Sequence, residues 1–260
     1  MNLEGGYSRP TRAELGVFTR AAFPSDFAKN VLDLLSTVEY RRCDRGEDME
    51  TMYRLRYRSY LASGMVQPNS SRMVEDRYDE LPNCMNFGIH IDGEMVSTVR
   101  LHHVSAETPE SPTATVFGDI LGDRIGAGQT FIDPTRFAAD PFATHQYPYL
   151  PYVTLRLAVM ACVHFEPSFC LSTVRPDHAP FYKRIFASHQ IGNLRAFPAL
   201  NYDVVLYQTE YVKTITGIVR RYPFFKSSPA EQRMMFDRIS DREREPLTIL
   251  PTARYYHLAA

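Results

Sequence analysis

The stretch FIDPTRFAADP, residues 131 to 141, constrains the fold more than any other. Its apolar residues are distributed as in a buried strand, yet Pro134 stands inside it. Proline has no N–H to give to a ladder, so in a sheet it belongs at an edge or at a bulge. A bulge here would splay the sheet and re-aim the side chains around it. The run that follows, YVTLRLAVMACVHFE at 152 to 166, is apolar almost all round at helical spacing and predicts a central helix. FCLSTVRP, 169 to 176, then reads as a short buried strand.

The rest of the chain assembles around this segment. DFAKNVLDLL has a helical stripe at Phe27, Val31, Leu34 and Leu35, and TVEYRRC after it alternates as a strand. Residues 48 to 64 predict a second helix, stopped by Gly64, and 65 to 83 a long polar loop. NFGIHIDGEMVSTVRLHHV predicts a hairpin turning at Asp92-Gly93. Residues 105 to 126, rich in Ser, Thr, Pro and Gly, read as loop with a short apolar patch. APFYKRIFASHQIG predicts a helix starting near Asp177 and Pro180, and YDVVLYQTEYV a strand. SPAEQRMMFDRI predicts a last helix, with Ser228 as N-cap and Pro229 in its first turn. Strands set between helices predict a mixed α/β (α+β) chain with one central sheet and one or two parallel crossovers. The C-terminal PLTILPTARYYHLAA either covers the sheet or mediates assembly.

With 260 residues the chain can bury a large core. A formal net charge of −1 gives no strong field for nucleic acid or anionic membranes. The arginines between Arg54 and Arg72 read first as a solvated helix face. The N-terminus has no apolar core of a secretory signal, and no apolar run reaches membrane-spanning length. A cytoplasmic location is therefore expected. The four cysteines form no CxxC pair and suggest neither a disulfide framework nor a zinc site. His102 and His103 point to opposite faces of their strand, so no metal site is expected there. Phosphate-binding GxxxxGK[ST], GxGxxG and nucleophile-elbow GxSxG patterns are all missing.

A dispersed polar set remains as the candidate site. Arg56 lies on the second helix, Asp76 and Asp79 in the loop sequence EDRYDE, and Arg100 at the end of STVRL. Asp133, Thr135 and Arg136 lie in the proline-interrupted strand. In a regular strand Asp133 and Thr135 face one way and Arg136 the other. Each has a plain alternative. Arg56 could pair with Asp76 or Asp79 at the surface, Arg100 could be solvated, and Asp133 before proline could serve a turn.

In order and spacing, LRYRSYLASGMV, EDRYDE, STVRL and TRFAADP resemble the acyl-homoserine lactone synthases, while VRPDHAPFYKRI and FPAL are more similar to the N-acyl amino acid synthases. The resemblance spans roughly residues 38 to 210, and TRFAADP is its most specific piece. It implies a GNAT-like acyltransferase fold, with helices on both faces of a mixed sheet splayed between two parallel strands. The acyl thioester would lie in that cleft. Arg56, Asp76, Asp79, Arg100 and Arg136 would form the substrate-binding cluster. Asp133 stands in place of the family's glutamate and Thr135 in place of its serine, both as catalytic residues. Tyr182 stands where many such enzymes keep a tyrosine near the leaving thiol.

The sequence also departs from the pattern. It has no tryptophan, Asp133 is one methylene shorter than glutamate, and HQYPYLPYVT replaces the pyrophosphate-binding loop of acetyl-CoA users. The resemblance thus implies transfer of a long acyl group from acyl carrier protein, or from CoA, to an amino acid or related small amine. No permanently bound cofactor is implied. The alternatives are an autoinducer synthase using S-adenosylmethionine and a non-catalytic module binding an acyl carrier or another partner. The expected organisation is an arm and helix over 1–37, the acyltransferase domain over 38–225, and a helix and tail over 226–260 packed on the same domain.

Overall fold

The computed structural model of the chain describes residues 25–197, 200–237, 248–253 and 255. The arm expected over residues 1 to 23 lies outside them. Helix α1 (Asp26–Leu35) starts where the Ser25 hydroxyl accepts the Ala28 N–H at 3.2 Å. It leads through β1 (Val38–Arg42) to α2 (Gly46–Ala62) and the long loop, which holds a single 3-10 turn at Arg77–Glu80. The hairpin strands β2 (Cys84–Ile91) and β3 (Glu94–Val104) follow. Asp92 and Gly93 both have positive φ, 52° and 81°, which matches the twist of a two-residue hairpin turn. Next come α3 (Pro112–Val116), α4 (Gly118–Gly126), β4 (Phe131–Ala139), α5 (Pro141–Gln146), α6 (Leu150–Phe165) and β5 (Phe169–Val174). The chain continues as α7 (Ala179–Phe186), β6 (His189–Ala196), β7 (Asp203–Glu210), α8 (Tyr211–Arg221), α9 (Pro229–Phe236) and β8 (Thr248–Ile249).

Among the described residues these strands form one mixed sheet in the order β6-β7-β5-β4-β3-β2-β1-β8. Every pairing is antiparallel except β4 with β5, joined by the crossover through α6. That parallel pairing is only two residues long, Phe131 with Phe169 and Ile132 with Cys170. A residue without an N–H cannot extend a ladder, and Pro134 sits two positions further on. The two strands separate from there, and the sheet opens as a V.

The bulge lies elsewhere than expected. Pro134 keeps its pairing with Leu101, and the register shifts instead between Thr98 and Arg100, opposite Arg136. Arg136 has φ 53°, a left-handed backbone that bends β4 after the proline.

α6 is the central helix. Its Val153, Leu157 and Met160 are buried in a cluster with Phe87, Val99, Leu101 and Ile132 of the sheet. α2 buries Met52 and Leu55 in a second cluster with Cys43, Met95 and Ala138. Phe117, Leu121 and Ile125, at and within α4, form a third with Phe131, Leu171 and Leu206.

Three segments differ from the sequence reading. Residues 112–126 are two helices rather than loop, with Ser111 capping the first through the Ala114 N–H at 3.1 Å and Pro112 in its first turn. The helix predicted over 179–192 stops at Phe186, because Ala187 turns left-handed (φ 53°), and residues 189–196 form edge strand β6. The strand predicted through Val212 ends at Glu210, where α8 begins without an intervening loop. Of the C-terminal segment, Thr248 and Ile249 pair with Arg41 and Tyr40 at the sheet edge.

Candidate active site

The loop sequence EDRYDE folds on itself before it touches anything else. Asp76 accepts the Tyr78 N–H at 2.9 Å, and Asp79 accepts the Asp76 N–H at 3.0 Å. This reciprocal cap holds both carboxylates at the start of one short turn. Three arginines from three elements meet them. Arg56 of α2 donates to Asp79 at 2.8 Å and to Asn86 at 2.9 Å. Arg100 of β3 donates to both oxygens of Asp76, at 2.6 and 3.3 Å, approaches Asp79 at 3.0 Å, and gives its Nε–H to Thr135 Oγ1 at 3.0 Å. Arg136 of β4 reaches Asp76 through Nη2 at 2.5 Å and Nε at 3.2 Å.

The cluster is interior. Arg56 and Arg100 are fully buried, so Arg56 does pair with Asp79, but in the core and not at the surface. Burial pushes the Asp76 carboxyl up, yet Arg100 and then Arg136 outweigh it and hold the group well below the usual carboxylate range. Asp79 is likewise lowered, with Arg56 and Arg100 outweighing burial. The bulge explains how Thr135 and Arg136, adjacent in sequence, both join this network: the left-handed turn at Arg136 cancels the alternation that would have sent it to the opposite face.

A cavity of about 460 Å³ opens where β4 and β5 part. Thr135, Arg136 and Tyr182 line it, together with apolar walls such as Leu155, Leu171, Phe181 and Val204. Arg56, Asp76, Asp79 and Arg100 do not line it; they stand behind Thr135 and Arg136. Arg136 is 6% exposed, and its Nη1 has no hydrogen-bond partner among the described residues. Tyr182 is half-buried, and burial raises its hydroxyl pKa, with Cys170 adding to the shift. It also walls a smaller cavity of about 40 Å³ under α6 and α8, which shares Pro134, Leu155 and Leu171 with the large one.

Asp133 is placed differently from Thr135. It is fully buried and does not line the cavity. Its carboxylate accepts the Thr113 hydroxyl at 2.7 Å and the Thr113 N–H at 3.3 Å, where α3 covers the strand. Burial pushes this carboxyl up in pKa, against the hydrogen bonds of Ser111 and Thr113 and the charge of Arg100. Sequence reading does not single out Thr113, although it sits just inside a Ser-Pro helix start at 111–112 like the one at 228–229. Among the described residues no group of three or more His, Cys, Asp or Glu side chains could hold a metal ion, and no helix is long and apolar enough to cross a membrane.

A family model described as N-acyl amino acid synthase FeeM matches residues 51–210. Among solved structures, that of FeeM, an N-acyl amino acid synthase from uncultured soil microbes, is similar at a TM-score of 0.57 and 16% identity. It covers 68% of this chain and 92% of that one. TofI, solved in a ternary complex with an inhibitor and MTA, matches at 0.51 and 16% identity, over 70% of this chain and 96% of that one. BjaI, a CoA-dependent acyl-homoserine lactone synthase solved with SAM and isopentyl-CoA, matches at 0.50 and 13%, over 67% and 81%. No curated protein matches. At these identities the structural likeness is one of fold, the splayed GNAT-like sheet.

Proposed function

Since the chain belongs to the FeeM family of N-acyl amino acid synthases and is an acyltransferase, we propose that it moves a long acyl group from a carrier thioester onto the α-amine of an amino acid. The observation that carries this reading is the cavity at the splay, apolar along most of its wall, where Arg175 is paired with Asp177 and Arg136 is the cation held at the splay itself. The ion-paired cluster behind Arg136 sets three guanidinium groups against two carboxylates. Arg136 keeps Nη1, a buried nitrogen, without a partner among the described residues. An acceptor carboxylate seated beside it in the cleft satisfies that nitrogen. In this reading Arg136 grips the acceptor, while Arg56, Asp76, Asp79 and Arg100 hold Arg136 and Thr135 in place.

The acyl chain then runs between Leu155, Leu171 and Tyr182 toward the smaller cavity. The amine attacks the thioester carbonyl, Asp133 takes up the released proton, and Tyr182 stands by the departing sulfur. Beyond Ile132 and Cys170 the facing edges of β4 and β5 are unpaired with each other, so peptide groups there are available to the developing oxyanion.

The start of α6 supports acyl carrier protein over CoA as donor. Pro148 and Pro151 line the cavity there, and Pro151 in the first turn brings no N–H for a diphosphate. Such a site holds its donor along the thioester arm and leaves the rest to the carrier.

The test is direct. Purified protein is incubated with acyl-carrier and acyl-CoA thioesters of graded length and a mixture of amino acids, and products are read by mass spectrometry. N-acylated amino acids, formed faster from the carrier thioester, are expected. No amide product from any pair overturns the proposal, and acyl-homoserine lactone formed only with S-adenosylmethionine overturns the choice of acceptor.

A further inference from the structure

Asp133 poses a problem for any mechanism that uses it, because it does not face the cavity. The structure supplies a connection. Thr113 Oγ1 lies 2.7 Å from Asp133 Oδ1 and 2.8 Å from Thr173 Oγ1. Thr173 is on β5, half-buried, and lines the cavity at the splay. Three side chains from β4, α3 and β5 thus make one unbroken line from the buried carboxylate to the open cleft.

The donors and acceptors in this line have only one consistent arrangement when Asp133 is ionised. A carboxylate only accepts, so Thr113 must donate its hydroxyl hydrogen to Asp133. Thr113 Oγ1 is then the acceptor toward Thr173, and Thr173 donates to it. This leaves the lone pairs of Thr173 Oγ1 turned to whatever occupies the cleft.

We propose that Thr173 and Thr113 relay the proton of the attacking amine to Asp133, with Thr173 the contact point in the cleft and Thr113 the positioning residue between. The inference rests on the N-acyltransferase reading above. As the amine nitrogen bonds to the thioester carbon, its N–H proton passes to Thr173 Oγ1. Thr173 gives its own proton to Thr113 Oγ1, and Thr113 gives its own to Asp133. The tetrahedral carbon then expels the thiolate, which leaves with the C–S electron pair. The proton on Asp133 returns along the same hydroxyls to the sulfur, giving amide and free thiol with no net proton stored.

The surroundings suit a buried base. Arg100 is the charged group that acts on Asp133 from β3, where His102 pairs with it in register, and α3 contributes Ser111 and Thr113. Burial, which raises the carboxyl pKa, brings a base nearer the working range of an amine than an exposed aspartate would be. The shorter aspartate also ceases to be a defect, since the hydroxyls bridge a distance its side chain does not span.

The experiment uses the donor and acceptor pair that gives most product with the wild-type protein. Thr113→Val and Thr173→Val remove a hydroxyl and keep the shape; Thr113→Ser and Thr173→Ser keep the hydroxyl and lose a methyl. The Val variants are expected to lose about 10²-fold in kcat, the scale of general base catalysis, with KM for the amino acid little changed. The Ser variants are expected to recover most of the rate. Folding is checked by thermal melting, and the Ser variants keep the comparison valid should a Val variant unfold. Val variants with wild-type kcat and an unchanged acid limb of the pH profile overturn the relay while leaving acyl transfer standing, as do Ser variants no better than Val. No product from the wild type with any pair overturns acyl transfer and the relay together.

Discussion

His102 shows how one buried side chain can set the response of this molecule to acid. Its Nε2 lies 2.9 Å from the Tyr78 carbonyl, so that nitrogen carries the hydrogen, and Nδ1 has no partner among the described residues. Burial, and then the neighbouring Arg100, depress its pKa to about 4. In the unfolded chain His102 takes a proton below about 6.5; in the folded protein it resists down to about 4. The stabilisation is therefore fully present above pH 6.5 and is lost as pH falls toward 4, by about 3 kcal/mol. Asp76 and Asp79, both lowered, withdraw their contribution only below the ordinary carboxylate range. Asp133, raised, works in the opposite direction as pH climbs. Thermal melting from pH 7 to pH 4 is expected to show a steep loss of Tm, flattened in His102→Gln. An equal slope in both proteins would mean that other groups govern the transition.

Elements were legible where turn chemistry and periodicity are local, and illegible where neighbours decide. The hairpin at Asp92-Gly93, the apolar run of α6 and the Ser228-Pro229 start of α9 announce themselves within a few residues. Edge strand β6 does not, because it is exposed on most positions and its one buried residue, Gly192, has no side chain to mark a face. Gly192 is glycine because a Cβ there would meet Leu206 and Phe117 at 2.8 Å. The end of α7 is hidden for a similar reason. Helices commonly stop at a left-handed glycine, and here an alanine takes that place at φ 53°. Ala187 is exposed, so nothing is lost from packing if its Cβ is removed. Ala187→Gly is expected to raise unfolding stability by about 0.5–1 kcal/mol in denaturant titration; a loss of stability would show that the left-handed alanine is unstrained. The candidate site was legible to the same extent. The acids and arginines could be collected from sequence, but the bulge at Arg136 and the coverage of Asp133 by α3 arise from pairing across 20 residues or more.

At the scale of the whole molecule, one buried ion pair fastens the C-terminal part to the central helix. Arg156 lies on α6, in the run read as almost wholly apolar, and is fully buried. It donates to Glu231 of α9 at 2.5 and 2.9 Å and to the carbonyls of Phe224 and Lys226 at 2.9 and 2.6 Å. Glu231 also accepts the Thr252 N–H at 3.1 Å and the Thr252 hydroxyl. Removing one partner leaves a charge stranded in the core, which costs about 3–5 kcal/mol. Glu231→Ala is expected to lose that much in urea unfolding, and Arg156→Met added to it to regain part of the loss. A double variant no more stable than the single one would place the effect in the Thr252 contact instead.

The two-residue seam between β4 and β5 also divides labour. The ionic cluster belongs to α2, β3, β4 and the loop before β2, while across the opening β5, β7, α6 and α7 contribute Leu171, Val204, Leu155 and Phe181 to the apolar cavity wall. Each half of the sheet has its own antiparallel partners and needs little from the other across the opening. On the proposed reading, a side chain on the α7 side could be enlarged or trimmed to fit a different acyl length without disturbing the charges that hold Arg136. Reach and recognition would then be carried by separate parts of one sheet, free to be retuned one at a time.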